Sequence, residues 1–318
     1  MTQLFDLLSI GEALIDLISE KVVDDLKDAK SYQIFPGGQV TNLAVNMSML
    51  GKRVSLCSCV GNDGLGRLIR DHLVESNISA EDLQFSEKAP TTISLIARQT
   101  ATPDFTIHRG ADALLLPSKN LLNEISNYKI VHTSAFALSR EPSRSTITQL
   151  LIKAKQSGCL ISLDPNFHPA IWPDIPDFIK TLEGVFKYVD ITKPSLDDCI
   201  RLFGSHLTVE EYAENFLSLG VKSVYITLGA DGTYLANKDG SRFQILSNEV
   251  NVADVTGAGD AYWSGMLSAY LEGLSPLEAG CIGQVIAEKK LSKIGPIKEM
   301  PDWNDIKKQA NTIEFAEK

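Results

Sequence analysis

The sequence lacks the features that several large classes of protein require. It contains no apolar run near the ~20 residues that a membrane-spanning helix needs. Its net charge is −10 and its pI is about 5.1, so it lacks the basic surface of nucleic-acid and anionic-membrane binders. Its first residues, Met1–Asp6, lack the basic start and apolar core of a signal peptide. We therefore expect a soluble cytoplasmic protein that binds any anionic ligand in a local basic pocket.

Cysteine is scarce, and the common nucleotide fingerprints are missing. The five cysteines form no Cys-x-x-Cys pair, and Cys57 and Cys59 share one face of a strand-like run. This pattern favours small buried residues over a metal site or a disulfide. No Gly-x4-Gly-Lys-Ser/Thr motif occurs, and residues 61–66 (Gly-Asn-Asp-Gly-Leu-Gly) lack the dinucleotide spacing. We interpret residues 61–66 as a turn and a helix start, and a dehydrogenase is disfavoured.

The 318 residues alternate between short β-branched runs and amphipathic helical stretches. The predicted strand Arg53–Val60 precedes the predicted helix Leu65–Glu75, and Lys129–Thr133 precedes Ser145–Gln156. Strands separated by helices indicate an α/β fold with a mostly parallel sheet that is covered on both faces. Ligands of such a fold bind at the carboxyl ends of the strands. The length allows either two domains or one large domain with an insertion.

Four strand-like runs break this alternation. They are Leu14–Ser19, Tyr32–Phe35, Thr92–Arg98 and Phe105–Arg109. The last two resemble a hairpin that turns through residues 100–104, and together the four could form a small second sheet over the edge of the first. Because no linker separates them from the rest, we predict one domain over residues 1–318. Its lid would be inserted at about residues 12–36 and 91–112, in a position to exclude water.

The most informative motif is the run Asp254-Val-Thr-Gly-Ala-Gly-Asp260, which precedes the apolar helix Ala261–Leu271. Gly257 and Gly259 permit a tight turn, and the helix start adds unpaired N–H donors at a positive dipole end. The motif therefore predicts a binding site for a phosphate. Asp260 would repel that phosphate unless it takes a proton from a nucleophile; alternatively, it only complements the helix dipole.

Two polar residues nearer the N-terminus admit two interpretations each. Asn42 follows the paired glycines of the run Phe35-Pro-Gly-Gly-Gln-Val-Thr-Asn, and its amide suits a ligand hydroxyl. It could also be an ordinary helix-start residue. Asp16 lies in the apolar run Ala13–Ile18, where a buried carboxylate requires a partner such as a polyol. The alternation of that run equally permits a solvent-facing Asp16.

Two loops follow predicted strands at carboxyl ends. Thr227-Leu-Gly-Ala-Asp-Gly-Thr233 has two glycines that shape a loop, and Lys193-Pro-Ser-Leu-Asp-Asp198 combines a cation for phosphate with a carboxylate for a metal.

With these motifs, the sequence resembles the PfkB (ribokinase-like) family of carbohydrate kinases over roughly residues 6–300. The Gly37-Gly38…Asn42 and Asp254…Asp260 motifs match in content, order and separation. Further segments resemble the fructokinase branch: Gly11–Asp16, Arg109–Asp112, Arg140–Ser145 and Asp164–Asn166. The resemblance implies a ribokinase-like three-layer α/β/α sandwich with a small β-sheet lid. It also implies ATP as donor, Mg²⁺, a sugar hydroxyl as acceptor, in many relatives K⁺, and in many a homodimer through the lid.

The resemblance implies a role for each matching residue. Asp260 would be the general base, and the amides of Gly257, Ala258 and Gly259 would form an anion hole. The sugar would contact Asp16, Gly37, Gly38, Asn42, Arg109, Asp112 and Asn166. The nucleotide would contact Lys193, Ser195, Thr227, Gly229 and Gly232. Asp198 would hold Mg²⁺ through water, and Asp254 and Thr256 would hold the monovalent cation.

The sequence departs from the family pattern at two informative positions. Ser195 and Asp198 stand where many members have Asn-x-x-Glu, although a serine is frequent in the fructokinase branch. His168 replaces an arginine, and histidine cannot pair bidentately with a carboxylate. We therefore expect phosphorylation of a primary hydroxyl of fructose. The alternatives are a 2-keto-3-deoxygluconate kinase, a ribokinase, a nucleoside kinase, or a non-catalytic sugar or nucleotide sensor.

Overall fold

The protein was analysed as a computed structural model that describes residues 4–98, 105–293, 295 and 297–318. Its strands are β1 (Phe5–Ile10), β2 (Leu14–Val22), β3 (Tyr32–Gly37), β4 (Val54–Gly61), β5 (Ile78–Ser79), β6 (Leu83–Ser86), β7 (Ile93–Arg98), β8 (Phe105–His108), β9 (Tyr128–Ser134), β10 (Leu160–Asp164), β11 (Ile191–Thr192), β12 (Ser223–Thr227), β13 (Thr233–Asn237), β14 (Arg242–Ile245) and β15 (Phe315–Glu317). Its helices are α1 (Gln39–Met49), α2 (Gly64–Glu75), α3 (Lys119–Glu124), α4 (Ser143–Gln156), α5 (Ile175–Phe186), α6 (Leu196–Phe203), α7 (Val209–Ser218), α8 (Ala258–Leu271), α9 (Pro276–Leu291) and α10 (Trp303–Ala310).

The large sheet has the strand order β15-β14-β13-β12-β11-β10-β9-β1-β4-β5, and β6 also pairs with β4. The strands from β12 through β5 run parallel to their neighbours, while β13, β14 and β15 are antiparallel additions at one edge. The predicted parallel sheet is thereby confirmed. Its central β1 is paired on both sides, with Leu7 opposite Val54 on β4 and Ile130 on β9.

Helices cover both faces of this sheet because the side chains of each strand alternate between two cores. Leu8 and Cys57 point into the core formed with α4, α5, α6 and α7. Their neighbours Leu7 and Leu56 point into the opposite core, which is formed with α1, α2, α8, α9 and α10. Parallel strands that are buried on both faces require this double cover. The result is the predicted three-layer α/β/α arrangement.

A separate four-stranded sheet has the order β3-β2-β7-β8. Strand β2 pairs antiparallel with β3, so that Asp16 lies opposite Phe35, and it pairs parallel with β7, so that Ile15 lies opposite Ile93. The predicted second sheet is present, built from two separated stretches of the chain. The predicted turn at residues 100–104 lies outside the described residues.

Two smaller predictions are also confirmed. Residues 61–66 form a turn and the start of α2, where the Asp63 carboxylate accepts a hydrogen bond from Gly66 N at 2.8 Å. All five cysteines are free and buried, with Cys57 and Cys59 in the same core. Within the part of the chain that the structure describes, no helix has both the length and the apolarity to cross a bilayer.

Candidate active site

The site forms around the N-terminus of α8. Gly257 is the first residue outside the helix and adopts φ 78°, a left-handed conformation that favours glycine. Ala258 N donates to Val255 O at 3.2 Å, but no side chain caps the N–H groups that follow it, so those donors are available to a ligand. The ten residues from Asp260 to Ala269 are all buried, so α8 is a core helix. An anion is favoured at its N-terminus by the unpaired donors and by the helix dipole.

Asp260, in the first turn of α8, contacts a residue of α1. Asn42 Nδ2 donates a hydrogen bond to Asp260 Oδ2 at 2.9 Å, which joins two segments 218 residues apart in sequence. Burial raises the pKa of Asp260 to about 7, and the nearby charges of Asp164 and Glu12 act in the same direction. The Asn42 hydrogen bond and Lys193 oppose that shift. Asp260 can therefore both accept and release a proton near neutral pH.

Asp16, Asn42 and Asp260 line one cavity of about 350 Å³. Burial raises the pKa of Asp16 to about 7. The carboxylate of Asp16 lies against Gly37, where a Cβ atom would come within 2.1 Å of Asp16 Oδ2. The predicted alternative of a solvent-facing Asp16 is therefore wrong, because its half-buried carboxylate faces this cavity. Two carboxylates and an amide on the wall of a mainly apolar cavity suit a ligand with several hydroxyl groups.

Sequence reasoning missed Glu12 as a functional residue. Glu12 is 1% exposed, and it accepts hydrogen bonds from Gln39 N at 2.9 Å and from Ser134 Oγ at 2.7 Å. Burial raises its pKa to about 7, against the hydrogen bond from Ser134. Gly38 has φ 103°, and a Cβ atom there would lie 2.5 Å from the Glu12 carbonyl oxygen. Glu12 therefore holds the start of α1 in place, and its signal was an acidic residue in an otherwise apolar segment.

Lys193 follows β11 directly and reaches the same turn. It is 4% exposed, and its Nζ lies 5.7 Å from the centre of the Trp263 ring. A Cβ atom on Gly259 would be 3.5 Å from this Nζ, so the ammonium lies against the anion-binding turn. Burial raises the pKa of Asp164 to about 6, although the nearby Lys193 charge opposes the shift. Asp164 is a second acidic residue of the site. The sequence places it in a segment that resembles fructokinases, but no role was predicted for it.

A larger cavity of about 900 Å³ adjoins the other side of the turn. Its lining includes Thr227, Gly229, Gly232, Ala258 and Gly259. The structure thus brings together three of the predicted nucleotide-binding residues and two of the predicted anion-hole residues. The cavity is large enough for a nucleotide. The two cavities meet at α8, with Asp260 on the side of the smaller one.

Ser195 and Asp198 bind to each other in a capping box at the start of α6. Asp198 Oδ2 accepts hydrogen bonds from Ser195 N at 2.9 Å and Ser195 Oγ at 2.6 Å. The other oxygen, Asp198 Oδ1, is buried and has no hydrogen-bond partner among the described residues. Those residues also contain no group of three or more His, Cys, Asp or Glu side chains arranged to hold a metal ion. A divalent ion here would therefore need ligands from a bound phosphate, which is typical of Mg²⁺.

Five of the predicted sugar ligands are not among the residues that line the smaller cavity: Gly37, Gly38, Arg109, Asp112 and Asn166. Arg109 and Asp112 form an ion pair, and their side chains are 4% and 0% exposed. Arg109 Nη1 donates to Ser139 Oγ at 2.7 Å, and Thr92 Oγ1 donates to Asp112 Oδ1. The expectation for Asp112 needs correction, because its carboxylate is enclosed by protein partners. Asn166 is exposed and contacts Asp164 only through its backbone N–H.

The predicted monovalent-cation residues, Asp254 and Thr256, lie next to Gly257. Thr256 N donates to Asp254 Oδ1 at 3.0 Å, and Lys290 Nζ forms an ion pair with Asp254 Oδ2 at 3.3 Å. Hydrogen bonds and this ion pair hold the pKa of the Asp254 carboxyl below its usual range, although burial alone would raise it. A protein cation therefore already compensates the charge that would attract a free cation.

Comparisons with known proteins agree on one group of enzymes. A family model described as pfkB family carbohydrate kinase matches residues 5–303. An ATP-dependent 6-phosphofructokinase of Thermoanaerobacterium thermosaccharolyticum is 37% identical over 304 residues, which cover 95% of this chain and 93% of the relative. The structure of Halothermothrix orenii fructokinase has a TM-score of 0.76 at 32% identity, covering 92% of this chain and 100% of that one. An uncharacterized sugar kinase of Pyrococcus horikoshii in complex with ATP has a TM-score of 0.79 at 31% identity, covering 96% and 99%.

Proposed function

The chain belongs to the pfkB family of carbohydrate kinases, and from this premise we propose that it phosphorylates a primary hydroxyl of fructose with Asp260 as general base. The chain is accordingly an ATP-dependent sugar kinase. The proposal that Asp260 is the general base rests on one observation. Asp260 has a raised pKa, lies at the N-terminus of α8, and lines the same cavity as Asp16 and Asn42.

The positions of the two cavities support direct transfer from ATP to the sugar. A nucleotide in the larger cavity would direct its phosphates toward the N-terminus of α8 and the Lys193 ammonium. A sugar in the smaller cavity would place a hydroxyl against Asp260. As the hydroxyl oxygen forms its bond to the γ-phosphorus, Asp260 takes the proton and the bond to the ADP oxygen breaks. The N–H groups of the turn and Lys193 stabilise the charge on the transferred group.

Mg²⁺ fits this site through the substrate phosphates and Asp198. Asp198 Oδ1 is a buried acceptor that has no hydrogen-bond partner among the described residues. It lies next to the loop that carries Lys193. A water held by Asp198 Oδ1 would connect that carboxylate to the ion without breaking the capping box. When bound, the ion neutralises charge on the phosphates of ATP. Loss of that carboxylate is therefore expected to weaken Mg²⁺ activation more than sugar binding.

The small sheet contacts the main body of the protein through an aromatic pair. Phe105, on its outer strand β8, packs its ring on His168, with ring centres 4.2 Å apart. His168 belongs to the loop after β10, so this contact joins the small sheet to the main body of the protein. We propose that the small sheet is a lid and that this contact closes it, which would exclude water and suppress hydrolysis of ATP.

The choice of sugar is tested by ADP release in a coupled assay. Fructose, fructose 6-phosphate, ribose, 2-keto-3-deoxygluconate and adenosine are compared in parallel at saturating ATP and Mg²⁺. We expect the highest kcat/KM with fructose. A higher value with ribose, adenosine or the acidic sugar would overturn fructose as substrate and leave the kinase assignment intact.

Fructose 6-phosphate is a second candidate acceptor, favoured by two observations. The relative with 37% identity is named a 6-phosphofructokinase. In addition, Lys298 and His72 line the same cavity as Asp16 and Asp260, and Lys298 is exposed there as a cation for a phosphate. A Lys298→Ala variant separates the two candidates. It should raise KM for fructose 6-phosphate about tenfold, the effect expected for one charged contact, and leave KM for fructose unchanged.

The pH dependence of kcat/KM should report the titration of Asp260. Its pKa is raised to about 7, and only the ionised carboxylate accepts the proton. Activity is therefore expected to fall below pH 7 by about tenfold per pH unit, because one proton is bound. Asn42→Leu removes a hydrogen bond that lowers this pKa, so the acidic limb should move upward by about one unit.

The matched control for Asn42→Leu is Asn46→Leu. Asn46 lies one turn later on α1 and lines the same cavity, but none of its described contacts involves Asp260. In Asn46→Leu, the acidic limb of the pH profile of kcat/KM should remain at its wild-type pH. An unchanged limb in Asn42→Leu as well would show that a group other than Asp260 controls the profile.

A further inference from the structure

Lys290 is a buried lysine whose ammonium, within the described part of the chain, contacts backbone and carboxylate oxygens. It lies near the end of α9 and is 2% exposed. Its Nζ contacts Asp254 O at 3.2 Å, Asp254 Oδ2 at 3.3 Å and Lys293 O at 3.3 Å. An ammonium has three N–H donors, so these three oxygens satisfy all of them.

These contacts tie the anion-binding turn to the end of α9. Asp254 Oδ2 also accepts a hydrogen bond from Gly295 N at 2.9 Å, and Ala253 N donates to Leu291 O at 2.8 Å. A Cβ atom on Gly257 would lie 3.8 Å from Lys290 Cε. The lysine therefore lies directly behind the residue at which α8 begins, and behind the N–H groups that would receive the phosphate.

The residues at this place do not fit the monovalent cation that the family resemblance implies. The carboxylate and carbonyl oxygens that Asp254 could offer to a cation already contact the Lys290 ammonium. The single negative charge of Asp254 is compensated by the single positive charge of Lys290, which would repel a second cation at a few ångströms. Removal of Lys290 would leave Asp254 without its counter-charge and would leave a space at the same oxygens.

We propose that the Lys290 ammonium replaces a bound monovalent cation behind the anion-binding turn, so that this kinase works without K⁺. Lys290 is thus a positioning residue: it borders the smaller cavity, but its ammonium binds protein oxygens and keeps the Asp254–Gly257 turn in the conformation that presents its N–H groups. The proposal concerns the kinase reaction described above, whichever sugar is the acceptor.

Two substitutions separate the charge of Lys290 from the space that it fills. Lys290→Ala removes the charge and makes room for an ion, whereas Lys290→Met removes the charge and keeps most of the volume. Activity is measured with ATP, Mg²⁺ and the best sugar in choline chloride, NaCl or KCl at equal ionic strength. Wild-type kcat should be the same in all three salts.

In choline chloride, both variants should lose about tenfold in kcat, less than the loss for a direct anion-hole donor, because Lys290 acts only through the turn. The KM for the sugar should stay within about twofold, since all three N–H donors of Lys290 are used by protein oxygens at the border of the smaller cavity. KCl or NH₄Cl should restore most of the activity of Lys290→Ala and little of that of Lys290→Met. A wild type that requires K⁺, or a Lys290→Ala variant that is fully active in choline chloride, would overturn the proposal.

Thermal unfolding tests the same proposal without any activity. Lys290→Ala should lower Tm by about 5 °C in choline chloride, and KCl should recover part of this loss in a saturable manner. The wild type and the control Lys289→Ala should show no specific effect of K⁺, since Lys289 is half-exposed on the adjacent position of the same helix. If K⁺ stabilises the wild type as much as it stabilises Lys290→Ala, the ion has its own site and the proposal is wrong. A chain that shows no kinase activity with any sugar, yet passes this test, would overturn the proposed phosphoryl transfer and leave the replacement of the cation by Lys290 intact.

Discussion

Asp260→Asn is expected to lower kcat at least about 100-fold, because it removes the proton acceptor and keeps the shape of the side chain. Asparagine cannot take a proton from the sugar hydroxyl at neutral pH, so the oxygen remains a poor nucleophile. The loss should appear in kcat and kcat/KM alike, which marks an interaction made only in the transition state. The measurement is steady-state ADP release with the best sugar at pH 8, where wild-type Asp260 is ionised.

The same substitution should increase stability at alkaline pH. The pKa of Asp260 rises from 3.8 to about 7 on folding, so the folded state binds a proton more strongly than the unfolded state. Protonated Asp260 keeps this advantage at low pH, and it is lost as the pH rises through about 7. The neutral Asp260→Asn side chain has no such loss. Its gain in Tm over the wild type should therefore be larger at pH 8 than at pH 5.

The control for Asp260→Asn is Asp71→Asn, on the exposed surface of α2. Asp71 has a side chain that is 58% exposed and contacts only Arg70 among its described partners. Its substitution should change neither kcat nor the pH dependence of Tm. If Asp260→Asn retained kcat within about threefold of the wild type, another group would be the base. Asp16 would then be the first alternative, since it faces the same cavity with a similar pKa.

Gly38→Ala should have the second largest effect, on stability and activity together. The methyl group would lie 2.5 Å from the Glu12 carbonyl oxygen, a backbone atom that cannot move alone, and φ 103° is unfavourable for alanine. Left-handed strain costs about 1–2 kcal/mol and forced overpacking about 1–3 kcal/mol, so a loss of roughly 2–5 kcal/mol is expected. The start of α1 should shift, which would move Asn42 away from Asp260 and raise KM for the sugar.

Gly51→Ala isolates the steric part of this prediction. Gly51 also has a positive φ, 76°, but a Cβ atom there meets nothing within 4 Å. Urea unfolding of both variants should give a small loss for Gly51→Ala, about 1–2 kcal/mol from strain alone, and a clearly larger one for Gly38→Ala. Equal losses would mean that the contact with Glu12 relaxes without cost. Only Gly38→Ala should affect KM.

Local chemistry explains why the anion-binding turn was predictable from the sequence. Two glycines before an apolar helix are typical of a tight turn with exposed N–H groups. Such a turn depends only on residues that are adjacent in the chain. The parallel sheet was predictable for a similar reason. The alternation of strands and helices can be read from the order of residues in the sequence. Few arrangements of those helices cover both faces of a sheet. The position of Asp260 at the helix start follows from the same seven residues.

The burial of Glu12, Asp164 and Lys193 in one site depends on the tertiary structure. Each lies at the end of a different strand or just after it, and they meet because β1, β10 and β11 run parallel and end at the same edge of the sheet. Burial then raises the pKa values of both carboxyl groups, an effect that no local pattern contains.

The sequence alone determined which chemical groups are available, because residue type and spacing decide turns, helix ends and the order of strands. Only the tertiary structure decided which partner each group has. In the folded protein, Arg109 pairs with Asp112 outside the lining of the smaller cavity. Lys290 pairs with Asp254, where the family resemblance predicts a monovalent cation. The physical reason is that a buried charge must be compensated, and the available partner depends on which distant segments the fold brings within a few ångströms.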